Sequence, residues 1–156
     1  MTENGDQKRA SRVVAVNRSE KKGVPKQSIA SGDFIAGFGL EGDAHGGDWH
    51  RQVSFLDRES IAKMTAKGIA GLEPGRFAEN ITTENLVLYE LNIGERLRIG
   101  EAVFEVTQIG KECHRRCAIY HQVGDCVMPQ EGIFARVVAG GAVAPGDEII
   151  VEAKEN

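Results

Sequence analysis

No run of this 156-residue sequence approaches the roughly 18 consecutive apolar residues that a membrane-spanning helix requires. The first twelve residues, MTENGDQKRASR, are polar and lack the apolar centre of a secretory signal. Cysteine is scarce, and its odd count of 3 would leave one thiol over in any disulfide framework. These absences predict a cytoplasmic chain with reduced thiols and no membrane partner. Basic charge is short as well. The 19 Lys and Arg against 23 Asp and Glu give a net charge of −4, which argues against a general nucleic-acid binder.

What is present fits a folded domain with a real core, since apolar residues make up 41% and charged residues 27%. Residues 1–11 read as a flexible tail, residues 153–156 as a frayed end, and residues 12–152 as one domain. The apolar runs are short and bounded by turns, a β-rich pattern. RVVAV (12–16) reads as a strand followed by the Lys-rich turn NRSEKKGVPK. A Gly-rich loop, GFGLEGDAHGGDWHR, leads into the buried strand QVSFL (52–56). ERLRI and AVFEVTQI alternate apolar and polar residues about a Gly100-Glu101 turn, which predicts a hairpin. Pro145-Gly146 turns the chain into DEIIVE, a closing strand. Two helices are expected. One spans 58–67, with Asp57 at its N-cap and Gly68 ending it. The other spans 129–139, with Phe134, Val137 and Val138 on one face and Gly140-Gly141 closing it. The fold class is mainly β, barrel-like, with a few short helices.

Two clusters carry chemistry. GDAHGGDWH offers Asp43, His45, Asp48 and His50 on a loop whose Gly42, Gly46 and Gly47 permit positive φ and close approach to a ligand. The loop is either a pocket wall or a set of side chains tying down turns. Its irregular carboxylate and imidazole spacing matches no standard metal pattern. KECHRRCAIYHQVGDC (111–126) holds every cysteine, Cys113, Cys117 and Cys126, with His114 and His121 and the cations Lys111, Arg115 and Arg116. Cations favour the thiolate, which is both the nucleophile and the metal ligand. Inert core thiols, a structural zinc site and a reactive thiolate all remain open from the residues alone.

Four segments carry a family resemblance: GLEGDAHGG, QVSFLDRESI, PGRFAENITTENL and LNIGERLRIGEAVFEVTQIGKEC. In order and spacing they resemble the MOSC domain, named for the C-terminal domain of molybdenum cofactor sulfurases, over about residues 13–151. The sequence looks like a small standalone bacterial member. The resemblance implies a compact β-barrel fold and a working cysteine. That cysteine would carry persulfide sulfur received from a pyridoxal-phosphate-dependent cysteine desulfurase, or ligate molybdenum in the molybdenum cofactor. Some relatives reduce N-hydroxylated compounds. A non-catalytic, zinc-stabilised binding module is the alternative.

Arg116-Cys117-Ala118-Ile119 resembles the Arg-Cys pair of eukaryotic-type members, while Cys113, soon after a strand, resembles the cysteine of short bacterial ones. Cys117 is preferred, with Cys113 beside it and Cys126 as a resolving thiol or core residue. Lys111, Arg116, His45, Asp43, Arg76, Glu79 and Asn80 would complete the pocket, Arg76 as an anion clamp and Asn80 as a reader of a pterin-like ring. The plainer reading has Glu79 and Asn80 satisfying buried loop backbone. Lys21, Lys22 and Lys26 are expected at a solvated hairpin tip, with phosphate attraction the alternative. Met64, Phe104 and Phe134 are expected in the core. Larger relatives carry an extra β-rich or desulfurase-like domain. Without one, a transient carrier docking the desulfurase or a metal-sulfur acceptor is expected over tight cofactor retention; the isolated chain either binds the molybdenum cofactor or carries none.

Overall fold

A computed structural model describes residues 10–22, 24–110 and 131–152. The expected strands are present and, with three that the sequence reading did not name as strands, pair into an eight-stranded sheet. β1 (Arg12–Arg18) hairpins to β2 (Gln27–Ile29) through the Lys-rich turn and pairs on its other side with β6 (Ile81–Glu84). β5 (Val53–Asp57) lies parallel to β6 and antiparallel to β9 (Ile133–Ala139). β8 (Ala102–Ile109) continues the sheet to β7 (Arg96–Ile99), and β11 (Ile150–Glu152) forms the far edge. A second sheet of three strands sets β3 (Gly32–Ile35) between β10 (Gly141–Val143) and β4 (Gly39–Leu40). The large sheet curls as a half-barrel. Its two ends approach each other, because Val13 N–H donates to Asp147 O and Ile149 N–H to Ser11 O, each at 2.8 Å.

The alternation read from the sequence places the core. Val13, Val16, Leu97, Ile99, Phe104 and Val106 turn inward from their strands. Phe104 meets Phe34 and Phe55 edge-on, with ring centroids 5.1 and 5.3 Å apart. β5 is buried along its whole length because it has apolar neighbours on both faces. Val53 and Phe55 face the main core, while Leu56 joins Ile61 and Met64 of α1 (Arg58–Thr65) with Ile69, Phe77 and Phe134. Met64, Phe104 and Phe134 are thus core residues, as expected.

The first helix forms close to its expected span. Asp57 takes the extended N-cap backbone but makes no capping bond, since its carboxylate accepts from Thr83 Oγ1 at 2.6 Å. The second expected helix is overturned: residues 133–139 are strand β9. Ile133, Ala135 and Val137 enter the main core, Phe134 packs on the opposite face, and Arg136 is exposed. This period of two suits a buried strand rich in β-branched residues, and Gln52 Oε1 accepts Val137 N–H at 2.9 Å beside it. Seven residues between Gly132 and Gly140 are also short for a helix. Residues 129 and 130 lie outside the described residues.

Candidate functional site

The loop between β4 and β5 folds back on the β1–β2 hairpin, and Asp43 is the joint. Its Oδ1 accepts Ser19 N–H at 3.0 Å and Lys26 Nζ at 2.8 Å, and its Oδ2 accepts His45 N–H at 3.1 Å. Both side chains of the Lys26–Asp43 pair are fully buried. Burial alone would push the Asp43 carboxyl up. The bonds from Lys26 and Ser19, with the lysine charge, outweigh it and hold the carboxyl below its ordinary value. The expectation of a solvated Lys26 is therefore corrected: the chain returns through Pro25 and turns the lysine inward onto a carboxylate 17 residues away. Lys21 and Lys22 are exposed.

Lys26 Nζ also reaches Ser19 Oγ and His45 Nδ1, both at 3.0 Å. His45 forms one wall of a cavity of about 90 Å³ with Trp49, Arg51, Ser54, Phe77, Ala78 and Phe134. Trp49 Nε1 donates to His45 O at 2.8 Å, and the Arg51 guanidinium lies 5.1 Å from the centre of the Phe134 ring. Gly42 and Gly47 hold φ of +82 and +148. Gly46 does not share the positive φ expected of it, and serves packing instead, because a Cβ there would stand 2.5 Å from the Phe38 ring.

Behind this wall runs a buried polar network. Glu79 is fully buried, with Oε2 accepting from Gly75 N–H (2.9 Å) and Thr82 Oγ1 (2.7 Å), and Oε1 from Phe77 N–H (3.2 Å). Burial pushes its carboxyl up against the pull of those bonds. Asn80 Oδ1 accepts Ser54 N–H at 3.0 Å, and its Nδ2 donates to Asn17 O at 3.3 Å. Both side chains satisfy buried backbone and brace the wall rather than line the cavity. Arg76 is exposed and lies outside the lining residues. Lys26, Trp49 and Arg51 were not singled out as site residues by the sequence reading. The WHR triplet beside His45 was the available signal for the last two.

Lys111, Cys113, Arg116, Cys117 and Cys126 lie outside the described residues. The points where the chain leaves and re-enters the described fold are clear. Gly110 N–H donates to Gly132 O at 2.7 Å. Two residues earlier, Gln108 Nε2 donates to Gly110 O at 2.7 Å, while its Oε1 receives Arg51 Nε at 3.0 Å and contacts His50 Nε2 at 2.8 Å. Thr107 Oγ1 donates to His50 O. An irregularity in the β8–β9 register between Val106 and Gln108 accompanies these bonds.

A groove of about 620 Å³ lies across the hairpin, bounded by Arg18, Lys21, Gln27 and Ser28 and reaching Ser19 and Gly42. Among the described residues, no three His, Cys, Asp or Glu converge as metal ligands. No helix among them is long and apolar enough to cross a membrane.

A family model for the MOSC domain matches residues 41–150. No curated protein matches the chain. Among solved structures it is similar to the YuaD protein of Bacillus subtilis, with TM-score 0.78, 20% identity, and coverage of 94% of this chain and 98% of that one. YiiM of Geobacillus stearothermophilus gives TM-score 0.68 at 19% identity over 90% and 74% of the two chains. YiiM of Escherichia coli gives 0.64 at 19% over 93% and 71%. At such identities these likenesses establish the fold alone.

Proposed function

The chain belongs to the MOSC domain family, and from that premise we propose that it acts in sulfur transfer or molybdenum-cofactor chemistry through a thiolate of the segment 111–126. The observation that carries the proposal is the hydrogen-bonded junction at Gln108 and Gly110. It ties the end of β8 to Arg51 of the cavity wall, and in sequence Cys113 follows only three residues beyond Gly110. Cations around the cysteines in sequence support a thiolate.

In sulfur carriage, the thiolate of Cys117, or of Cys113, attacks the outer sulfur of a persulfide on a cysteine desulfurase. A new S–S bond forms here, the donor S–S bond breaks, and the donor leaves as its own thiolate, so no external oxidant is needed. Incubation with a pyridoxal-phosphate-dependent desulfurase and ³⁵S-cysteine tests this directly. Labile label on the wild type, lost in either Cys117→Ser or Cys113→Ser, is the expected result. Equal label on both single variants and on the double variant refutes carriage.

The groove beside the hairpin supports molybdenum-cofactor binding as the second reading. The cavity of about 90 Å³ is below the few hundred Å³ typical of cofactor sites, whereas the groove is within that range. Its Arg18 and Lys21 suit a phosphate, and its Ser28 and Gln27 suit a polar ring. When bound, the cofactor would supply a redox-active molybdenum ligated by the cysteine, as needed to reduce N-hydroxylated compounds. Elemental analysis of protein from a cofactor-replete host separates the readings. Near-stoichiometric molybdenum supports this one, zinc near one equivalent supports a zinc-stabilised module, and neither favours the carrier.

A further inference from the structure

Lys26 has three ammonium protons and three acceptors within 3.0 Å: Asp43 Oδ1, Ser19 Oγ and His45 Nδ1. The bonding of each partner fixes the direction of these contacts. Asp43 Oδ1, a carboxylate oxygen, can only accept, and takes one lysine proton at 2.8 Å. Ser19 donates its own hydroxyl proton to Lys21 O at 3.0 Å, so its oxygen can only accept from Lys26. The third proton is then directed at His45 Nδ1, which must present a lone pair.

We propose that Lys26 is a positioning residue for the cavity, holding the His45 imidazole as its neutral Nε2–H tautomer. His45, which lines the cavity together with Arg51, is thereby held in a single tautomer. The same contact resists a proton on Nδ1, which would face the ammonium head-on. Asp43 acts through the lysine: its Oδ2 lies 3.8 Å from Nδ1 and would draw a proton there if Lys26 were absent. The buried ion pair thus decides which edge of the imidazole carries hydrogen. The functional weight of this device rests on the reading of the cavity as part of the site. The tautomer does not, and it can be measured without sulfur, molybdenum or a partner.

The test is two-bond ¹H–¹⁵N correlation spectroscopy of the ¹⁵N-histidine-labelled protein, with His45 assigned by the signals lost in His45→Gln. The wild type is expected to show Nε2 protonated and Nδ1 bare. Lys26→Met is expected to shift the tautomer ratio at least tenfold toward Nδ1–H, and Lys26→Arg, which retains a donor, to restore much of the wild-type ratio. A wild type with Nδ1–H, or a Lys26→Met spectrum unchanged from it, overturns the proposal. If Lys26→Met does not fold, the wild-type lysine ammonium decides. A slowly exchanging NH₃⁺ signal with cross-relaxation to the His45 ring supports the contact, and its absence overturns it. Loss of sulfur or molybdenum loading with the tautomer intact would instead refute only the functional reading.

Discussion

Gln108 Oε1 lies 2.8 Å from His50 Nε2, joining residues 58 positions apart. A carboxamide oxygen only accepts, so the histidine donates. The same oxygen receives Arg51 Nε, and the amide nitrogen of Gln108 holds Gly110 O. One side chain therefore couples the Gly-rich loop to the strand end from which the cysteine segment departs.

Gln108→Ala should loosen this junction without unfolding the protein. Its partners are exposed or half-buried, so the expected cost is about 1 kcal/mol, or roughly fivefold faster amide exchange in residues 45–51 and 107–110. Native-state hydrogen exchange followed by mass spectrometry checks it. Unchanged protection in both segments would show that the junction does not restrain them.

Gly75→Ala should be severe. Gly75 holds φ of +90, and a Cβ there would collide with the carbonyl oxygen of Lys26, whose N–H donates to Gly75 O at 2.8 Å. Left-handed strain plus the backbone clash should cost about 2–4 kcal/mol, measured by urea unfolding. Because the displaced segment just before β2 carries Lys26, the His45 ring signals should move as well.

Glu79→Gln replaces one of two accepting oxygens with an NH₂ group that points donors at donors. The N–H groups of Gly75 and Phe77 and the Thr82 hydroxyl all compete for the carboxylate. A loss of about 2–3 kcal/mol is expected from denaturant unfolding, because the site is closed to water. A neutral outcome would mean that the loop repacks around an amide.

Asp57 gives the protein a pH response. Burial first, then the charge of Glu59, raises its pKa from 3.8 to about 7, against the bond from Thr83. The folded state then binds more protons than the unfolded state between pH 4 and pH 7. Stability from this group is complete below about pH 4 and is lost as pH rises to about 7. Asp57→Asn should flatten the fall in melting temperature across that window and stabilise the protein at pH 8 by about 1 kcal/mol or more. Asp43 has the opposite sign. Its lowered pKa contributes stability above about pH 3.8 that is lost as pH falls further, so acid scans separate the two groups.

The sequence by itself determined the strands whose side chains alternate, the hairpin about Gly100, the first helix and the family. These are local patterns: a period of two or 3.6 is set by the backbone, and turn residues report their own φ. Four ordered segments located the Gly-rich loop and the PGRFAEN loop, which the fold brings together around the cavity, where His45 and Trp49 meet Phe77 and Ala78. Tertiary structure decided the rest. Residues 133–139 are apolar enough for either element, and became a strand because β5 and β8 supply hydrogen-bond partners on both sides. Lys26 looked like hairpin-tip charge until a carboxylate distant in sequence compensated its burial. Arg51, not Arg76, reached the cavity, because Gln108 and Phe134 hold it there. Polarity can be read one residue at a time, but whether a charge is buried depends on partners that only the folded chain assembles.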